Sequence, residues 1–259
     1  MSTATATLDT QELEQRVKGM YEEVARDPDG DFHFETGRAL AERLGYSAAH
    51  LDRIPAAAID SFAGVGHFLD LAALEPGDAV LDLGSGSGTD SFLAAVAVGP
   101  DGRVVGADMT AEQLAKARRL AAEGGIDNVE FRQGYIEDPP VDEGAFDCAI
   151  SNGVINLSPD KPAVFAAVAR ALRPGGRPAL ADIVTTEQLP QGVTCDASLW
   201  AACIGGAMQR DDYREAIEGA GLEIAEWREN EEYRFVSERA DNAVRKYGVM
   251  SISLLARRP

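Results

Sequence analysis

The chemistry is densest in Val80-Leu-Asp-Leu-Gly-Ser-Gly-Ser-Gly-Thr-Asp90, where an apolar run passes straight into a turn holding Gly84, Gly86 and Gly88. Glycine has no Cβ, so such a turn can be tight and can let a ligand approach the backbone closely. Asp82 and Ser85 lie in the same stretch, and Asp108 ends the next apolar run 24 residues after Gly84. A carboxylate at that distance can hold the hydroxyls of a ribose. Strand, glycine turn, helix and acid together predict an adenosyl ligand. A dinucleotide pattern, G-x-G-x-x-G, would place its third glycine at Thr89, whereas here it falls one residue earlier, at Gly88. The shorter pattern favours S-adenosylmethionine over a nicotinamide cofactor.

Such a turn works only if a sheet holds it. Between Pro76 and Val184 short apolar runs alternate with longer helical patterns, as a parallel sheet with crossover helices requires. The expected strands are 79–83, 104–107, 129–131, 148–151 and 178–183, nearly continuous in apolar character and so buried on both faces. Two more, at 222–227 and 250–256, close the sheet, with a helix at 211–220 before them. The second crossover helix opens Thr110-Ala-Glu-Gln113, which reads as a capping box. The fourth opens at Ser158-Pro159 and ends at Leu172-Arg-Pro-Gly-Gly176, a turn into the fifth strand. Upstream, apolar residues recur at helical spacing over 11–25 and 37–44, amphipathic segments that need a surface to cover.

The totals agree with one large α/β unit. The 259 residues are 45% hydrophobic and 26% charged, balanced as in folded globular proteins. A net charge of −19 disfavours nucleic acid and anionic membrane as partners. No run of 18 apolar residues and no basic start before an apolar stretch indicates a membrane span or signal peptide. Three cysteines do not suggest a disulfide framework; a reducing, cytoplasmic setting and a small-molecule acceptor are expected, while oligomeric state is left open.

The glycine loop Asp82-Leu-Gly-Ser-Gly-Ser-Gly88 and the turn Leu172–Gly176 resemble those of the class I S-adenosylmethionine-dependent methyltransferases. The likeness runs over 62–259, with an acceptor-side insertion near 186–210, and leaves 1–61 as a helical cap with a flexible terminus. It implies a Rossmann-like α/β fold, a seven-stranded, mostly parallel sheet with the last strand antiparallel. It also implies donor contacts at Gly84 and Gly86 for the aminocarboxyl end, Asp108 for the ribose and Met109 against adenine. In many relatives an aspartate after the third strand takes the adenine amino group. Tyr135 follows Gly134 here, and the role moves to Glu137 with the Ile136 amide beside it. Within the class, Gly134–Glu137, Ile150–Lys161 and Cys203-Ile-Gly-Gly-Ala207 are similar to the arsenite methyltransferases. That family uses three cysteines for trivalent arsenic. Only Cys203 carries over, since Gly153 and Ala63-Gly-Val-Gly66 stand where the others would be.

Trivalent arsenic is soft and prefers thiolates, so the missing cysteines favour an ordinary small acceptor; Cys195 with Cys203 is the substitute pair that arsenic would need. No metal site is expected. Methyl transfer requires alignment more than a catalytic residue. An acceptor needing a base has His33, His50 and His67 to draw on, of which His33, in Asp31-Phe-His-Phe34, occupies a plausible lid. Tyr21, Tyr135, Asn152 and Trp200 are further candidates to line the acceptor pocket. Two rival readings stay open beside methyl transfer: a binding protein that keeps the nucleotide pocket without turnover and, more remotely, a nicotinamide oxidoreductase.

Overall fold

The computed structural model describes residues 9–194, 200, 204–236 and 238–259; Cys195 and Cys203 lie outside them. In chain order the N-terminal helices are α1 Thr10–Arg26, α2 Arg38–Arg43, α3 Ala48–Leu51, α4 Ala56–Asp60 and α5 Leu69–Ala72. The alternating core follows: β1 Ala79–Leu83, α6 Thr89–Val98, β2 Arg103–Asp108, α7 Ala111–Gly124, β3 Val129–Gln133, β4 Phe146–Asn152, α8 Lys161–Ala171 and β5 Leu172–Thr185. After α9 Gln191–Thr194 come β6 Met208–Gln209, α10 Arg210–Gly219, β7 Glu223–Glu229, α11 Glu238–Tyr247 and β8 Met250–Arg257.

The sheet order is β3-β2-β1-β4-β5-β8-β7, with β8 antiparallel to both of its neighbours and the short β6 added beside β5. The seven expected strands are all there, and the two-residue β6 is an addition that periodicity is too coarse to detect. Chain order reverses between β1 and β4, the point of a parallel sheet beyond whose carboxyl ends ligands bind. Register brings those ends level: Leu83 lies opposite both Ala107 and Ser151, so Asp108 and Asn152 each project one residue past the shared edge.

Apolar clusters cover both faces of the sheet, one around Val80, Cys148 and Ile183, the other around Leu81, Phe165 and Leu254. A third joins the N-terminal helices to the core, packing Leu40, Tyr46, Leu51 and Phe62 against Phe92, Leu114 and Phe131. Burial of such side chains stabilises the fold by about 1.5–3 kcal/mol each, so α2 to α4 are fastened to α6 and α7. Helix α1 lies along α7 and is tied at its end, where the Ser61 hydroxyl donates to Val24 O.

Three local expectations need correction. Thr110 does cap α7, yet its side chain makes no capping bond; the Asp108 carboxylate accepts from Thr110 N at 2.8 Å instead. Helix α8 starts after Asp160, which accepts from Ala163 N, two residues later than Ser158 would place it. The Leu172–Gly176 turn is absorbed into β5, because Gly175 N and Gly176 O pair with Arg258 of the C-terminal segment.

Candidate functional site

The level ends of β1, β2 and β4, the turns after them and one side of α1 enclose a cavity of about 450 Å³. Its floor is the glycine turn, held to β2 by bonds from Gly84 N and Ser85 N to Ala107 O. Gly86 has φ +53°, a left-handed conformation that L side chains avoid, and an added Cβ would meet only Gln113 Oε1 at 3.8 Å. The turn therefore presents bare backbone to the cavity. Asp108 reaches over from β2 and accepts from Gly86 N at 2.9 Å with one oxygen and from Thr110 N, ahead of α7, with the other. Burial raises its pKa against the lowering effect of those amides.

Two further carboxylates stand beside it. Asp82 accepts from the Ser91 hydroxyl at 2.5 Å, and burial, with Asp90 close by, pushes it up to about 8. Asp90 accepts from Tyr46 OH at 2.6 Å and from Asn152 Nδ2 at 3.1 Å, and burial pushes it up to about 6. Asn152 itself accepts from Val65 N at 2.8 Å, so it fastens the 63–66 segment to the edge of β4. The buried Ser85 hydroxyl finds no hydrogen-bond partner among the described residues.

Across the cavity, Met109, Tyr135, Ile136 and Glu137 form the opposite wall, with Glu137 accepting from the Ser158 hydroxyl at 2.5 Å. Helix α1 lies over the opening. Its Leu13, Val17 and Tyr21 line the cavity, and its Glu14 accepts from Tyr135 OH at 2.7 Å and from Lys18. Gln113 joins the layers, accepting from the Ser87 hydroxyl and donating to Tyr21 O.

Of the candidate residues, Asp82, Gly84, Ser85, Gly86, Asp108, Met109, Ile136, Glu137, Asn152, Tyr21 and Tyr135 all face this cavity. Three do not. Gly88 starts α6, and an added Cβ would strike Phe92 and Phe131, so its place is structural. His33 sets its ring edge against Phe34, which stacks on Tyr21, one layer outside the lining. Trp200 is buried behind the wall, donating to Thr194 O. Cys148 is enclosed in β4, where burial pushes its thiol up to about 12 and keeps it from acting as a thiolate. The residues that sequence reasoning passed over are Glu14, Asp90, Gln113 and Ser158. Asp90 stood two positions after the last glycine of the loop; the others needed the approach of α1 and of the β4–α8 turn to become visible. Among the described lining residues five are carboxylates, Glu14, Asp82, Asp90, Asp108 and Glu137, and none is Lys, Arg or His.

Residues 74–221 match the family model for a methyltransferase domain. The chain is 42% identical over 227 residues to the arsenite methyltransferase of Halobacterium salinarum, which covers 87% of this chain and 58% of that protein. It is 38% identical to human arsenite methyltransferase over 50% of this chain and 37% of the other. The chain thus spans roughly half the length of the curated relatives it matches. Among solved structures, an arsenic(III) S-adenosylmethionine methyltransferase from Chlamydomonas reinhardtii superimposes with TM-score 0.64 at 30% identity, over 86% of this chain and 73% of that one. A geranyl diphosphate C-methyltransferase from Streptomyces coelicolor shares the fold, with TM-score 0.69 at 19% identity over 99% and 100% of the two chains. No helix among the described residues is long and apolar enough to cross a membrane. The chain belongs to the methyltransferase domain family, as a class I member whose cofactor is S-adenosylmethionine.

Proposed function

We propose that the protein transfers the methyl group of S-adenosylmethionine to a small neutral or cationic acceptor. The observation that carries this reading is a cavity at the switch point of the sheet lined by five acidic side chains, with no cationic side chain among its described lining residues. An anionic acceptor would enter against that field. The donor carries a sulfonium, an ammonium and a carboxylate, a net positive charge that the buried acids favour and that the glycine-turn amides and the orphaned Ser85 hydroxyl can complete. In this reading Gly84 and Gly86 face the aminocarboxyl end and Asp108 the ribose. Met109 covers the adenine, and Glu137, beside Ile136, takes its amino group.

Bound S-adenosylmethionine supplies an electrophilic methyl group on sulfur. The chain's part is to hold the acceptor lone pair in line with it and to exclude water, which alignment and the α1 cover accomplish without a dedicated base. Asn152 and Asp90, joined at 3.1 Å on the side of Phe62 and Gly64, are the polar groups placed to orient the acceptor.

Incubating the protein with methyl-labelled donor and a panel of amines, thiols, alcohols, carboxylates and phosphates, read by mass spectrometry, tests this. Products confined to uncharged and cationic members are expected. Preferential methylation of anions would overturn the charge argument, and a donor that binds without any product would favour a non-catalytic binding protein.

Arsenite, an uncharged hydroxide at neutral pH, is the second reading, favoured by the 42% identical relative. Against it, Gly153 has φ +72° and an added Cβ would come within 3.0 Å of Val65, so a cysteine there would be strained. An arsenic site would have to use Cys203 with Cys195. Robust arsenite methylation in excess thiol, abolished by both Cys195→Ser and Cys203→Ser, would establish it.

A further inference from the structure

A buried ammonium behind the cavity wall has no part in the reading above. Lys161 is only 4% exposed, and it occupies the first position of α8, where the helix dipole disfavours a cation. Burying a lysine there is costly unless its charge is well met, and an apolar residue would serve the packing better. Its Nζ donates to Ser158 O at 2.9 Å and to Asn156 O at 3.2 Å, and sits over the Trp200 ring, 5.0 Å from its centroid. Both carbonyls belong to the turn between β4 and α8, whose Val154, Leu157 and Ser158 face the cavity. The same turn is gripped from the other side. Asn156 donates through N and Nδ2 to Asp182 of β5, which also accepts from Tyr213 OH of α10. Gly206 backs it so closely that an added Cβ would collide with Asn156 O and Trp200.

We propose that Lys161 is a positioning residue for donor binding: from behind the wall it fixes the Ile155–Ser158 turn, and through the Ser158 hydroxyl it sets the Glu137 carboxylate. This rests on the assignment of Glu137 to the donor. The charged groups acting on Lys161 are Asp182 from β5 and Glu137 from the segment after β3, both favouring its charged form. Burial opposes them and brings its pKa down to about 8. Losing that proton removes the charge that the two carbonyls and Glu137 attract. The turn then loosens as pH rises through this value.

Isothermal titration of S-adenosylmethionine into wild type, Lys161→Met, Lys161→Arg and Glu137→Gln, from pH 6.5 to 9.5, tests the inference. Lys161→Met is expected to weaken binding about tenfold, the size of a lost charge-assisted hydrogen bond. Lys161→Arg, charged throughout, is expected to stay within about threefold of wild type at pH 6.5 and to bind progressively better than wild type as pH rises through about 8, because only wild type loses its cation. Adding Lys161→Met to Glu137→Gln should cost less than the two changes apart, because they act along one path. A folded Lys161→Met with wild-type affinity, or a ratio of Lys161→Arg to wild-type affinity that stays constant across the pH range, overturns the inference. If Lys161→Met does not fold, the pH profile of Lys161→Arg decides. Weak binding in Lys161→Met with none lost in Glu137→Gln refutes the path through Glu137. A wild type that binds no donor refutes the methyl-transfer reading itself.

Discussion

Donor binding should release a proton. Asp82 is pushed up to about 8 by burial and by Asp90, so at pH 7 about nine-tenths of the donor-free protein carries it neutral. A cationic donor selects the carboxylate. Removing the proton then costs about 1.4 kcal/mol at pH 7 and about 2.7 kcal/mol at pH 6, that is, roughly tenfold and a hundredfold in affinity relative to a fully ionised Asp82. Asp90, pushed up to about 6, adds a smaller loss at the acid end. Titrations of S-adenosylmethionine at pH 7 in phosphate and in Tris, which differ in ionisation enthalpy, should show about 0.9 proton released. In Asp82→Asn the release and the acid loss of affinity should both largely vanish. The sign for folding is opposite. A carboxyl whose pKa is raised by folding stabilises the fold at low pH, and that contribution is lost as pH rises through about 8. Asp82→Asn should therefore raise the melting temperature of the donor-free protein at pH 8.5 while weakening donor binding. Affinity that is flat from pH 6 to 8, or proton uptake on binding, would refute the electrostatic argument.

Other substitutions probe the same geometry. Gly86→Val places a side chain in the open space of the cavity at φ +53°; titration should show at least tenfold weaker donor binding, and the melting temperature should fall with about 1–2 kcal/mol of backbone strain. Asp108→Ala removes the acceptor for both Gly86 N and Thr110 N, so a loss of about 1–3 kcal/mol in denaturant unfolding should accompany a loss of donor affinity. Unchanged affinity in the folded variant would dismiss the ribose assignment. Tyr46→Phe leaves one oxygen of Asp90 without its donor, and the pKa of Asp90 should rise from about 6 because that bond lowers it. The resulting loss, about 1–3 kcal/mol, should be larger at pH 8, where Asp90 is ionised, than at pH 5; equal losses at both would show that its charge is not involved.

The sequence by itself determined the frame and the glycine-turn side of the cavity. Strands β1, β2 and β4 are continuous apolar runs that need two covered faces, and Gly84, Gly86 and Asp108 occupy positions at the ends of two successive strands, so local spacing suffices to place them beside the cavity. Tertiary structure decided what long-range packing brings together. Glu14 and Tyr135 are 121 residues apart and meet only because α1 crosses the cavity. Gln113 reads locally as a capping residue, yet the approach of the glycine turn and of Tyr21 recruits it elsewhere. Trp200 and His33 are residue types that suit a pocket, and packing against Lys161 and Phe34 removes them from the lining. Nor could charge counting foresee the acid wall, because a net charge of −19 says nothing of where its members lie. Burial changes their chemistry. It raises Asp82 and Asp90 and lowers Lys161, since desolvation depends on what the whole fold packs around a group and not on its neighbours in the chain.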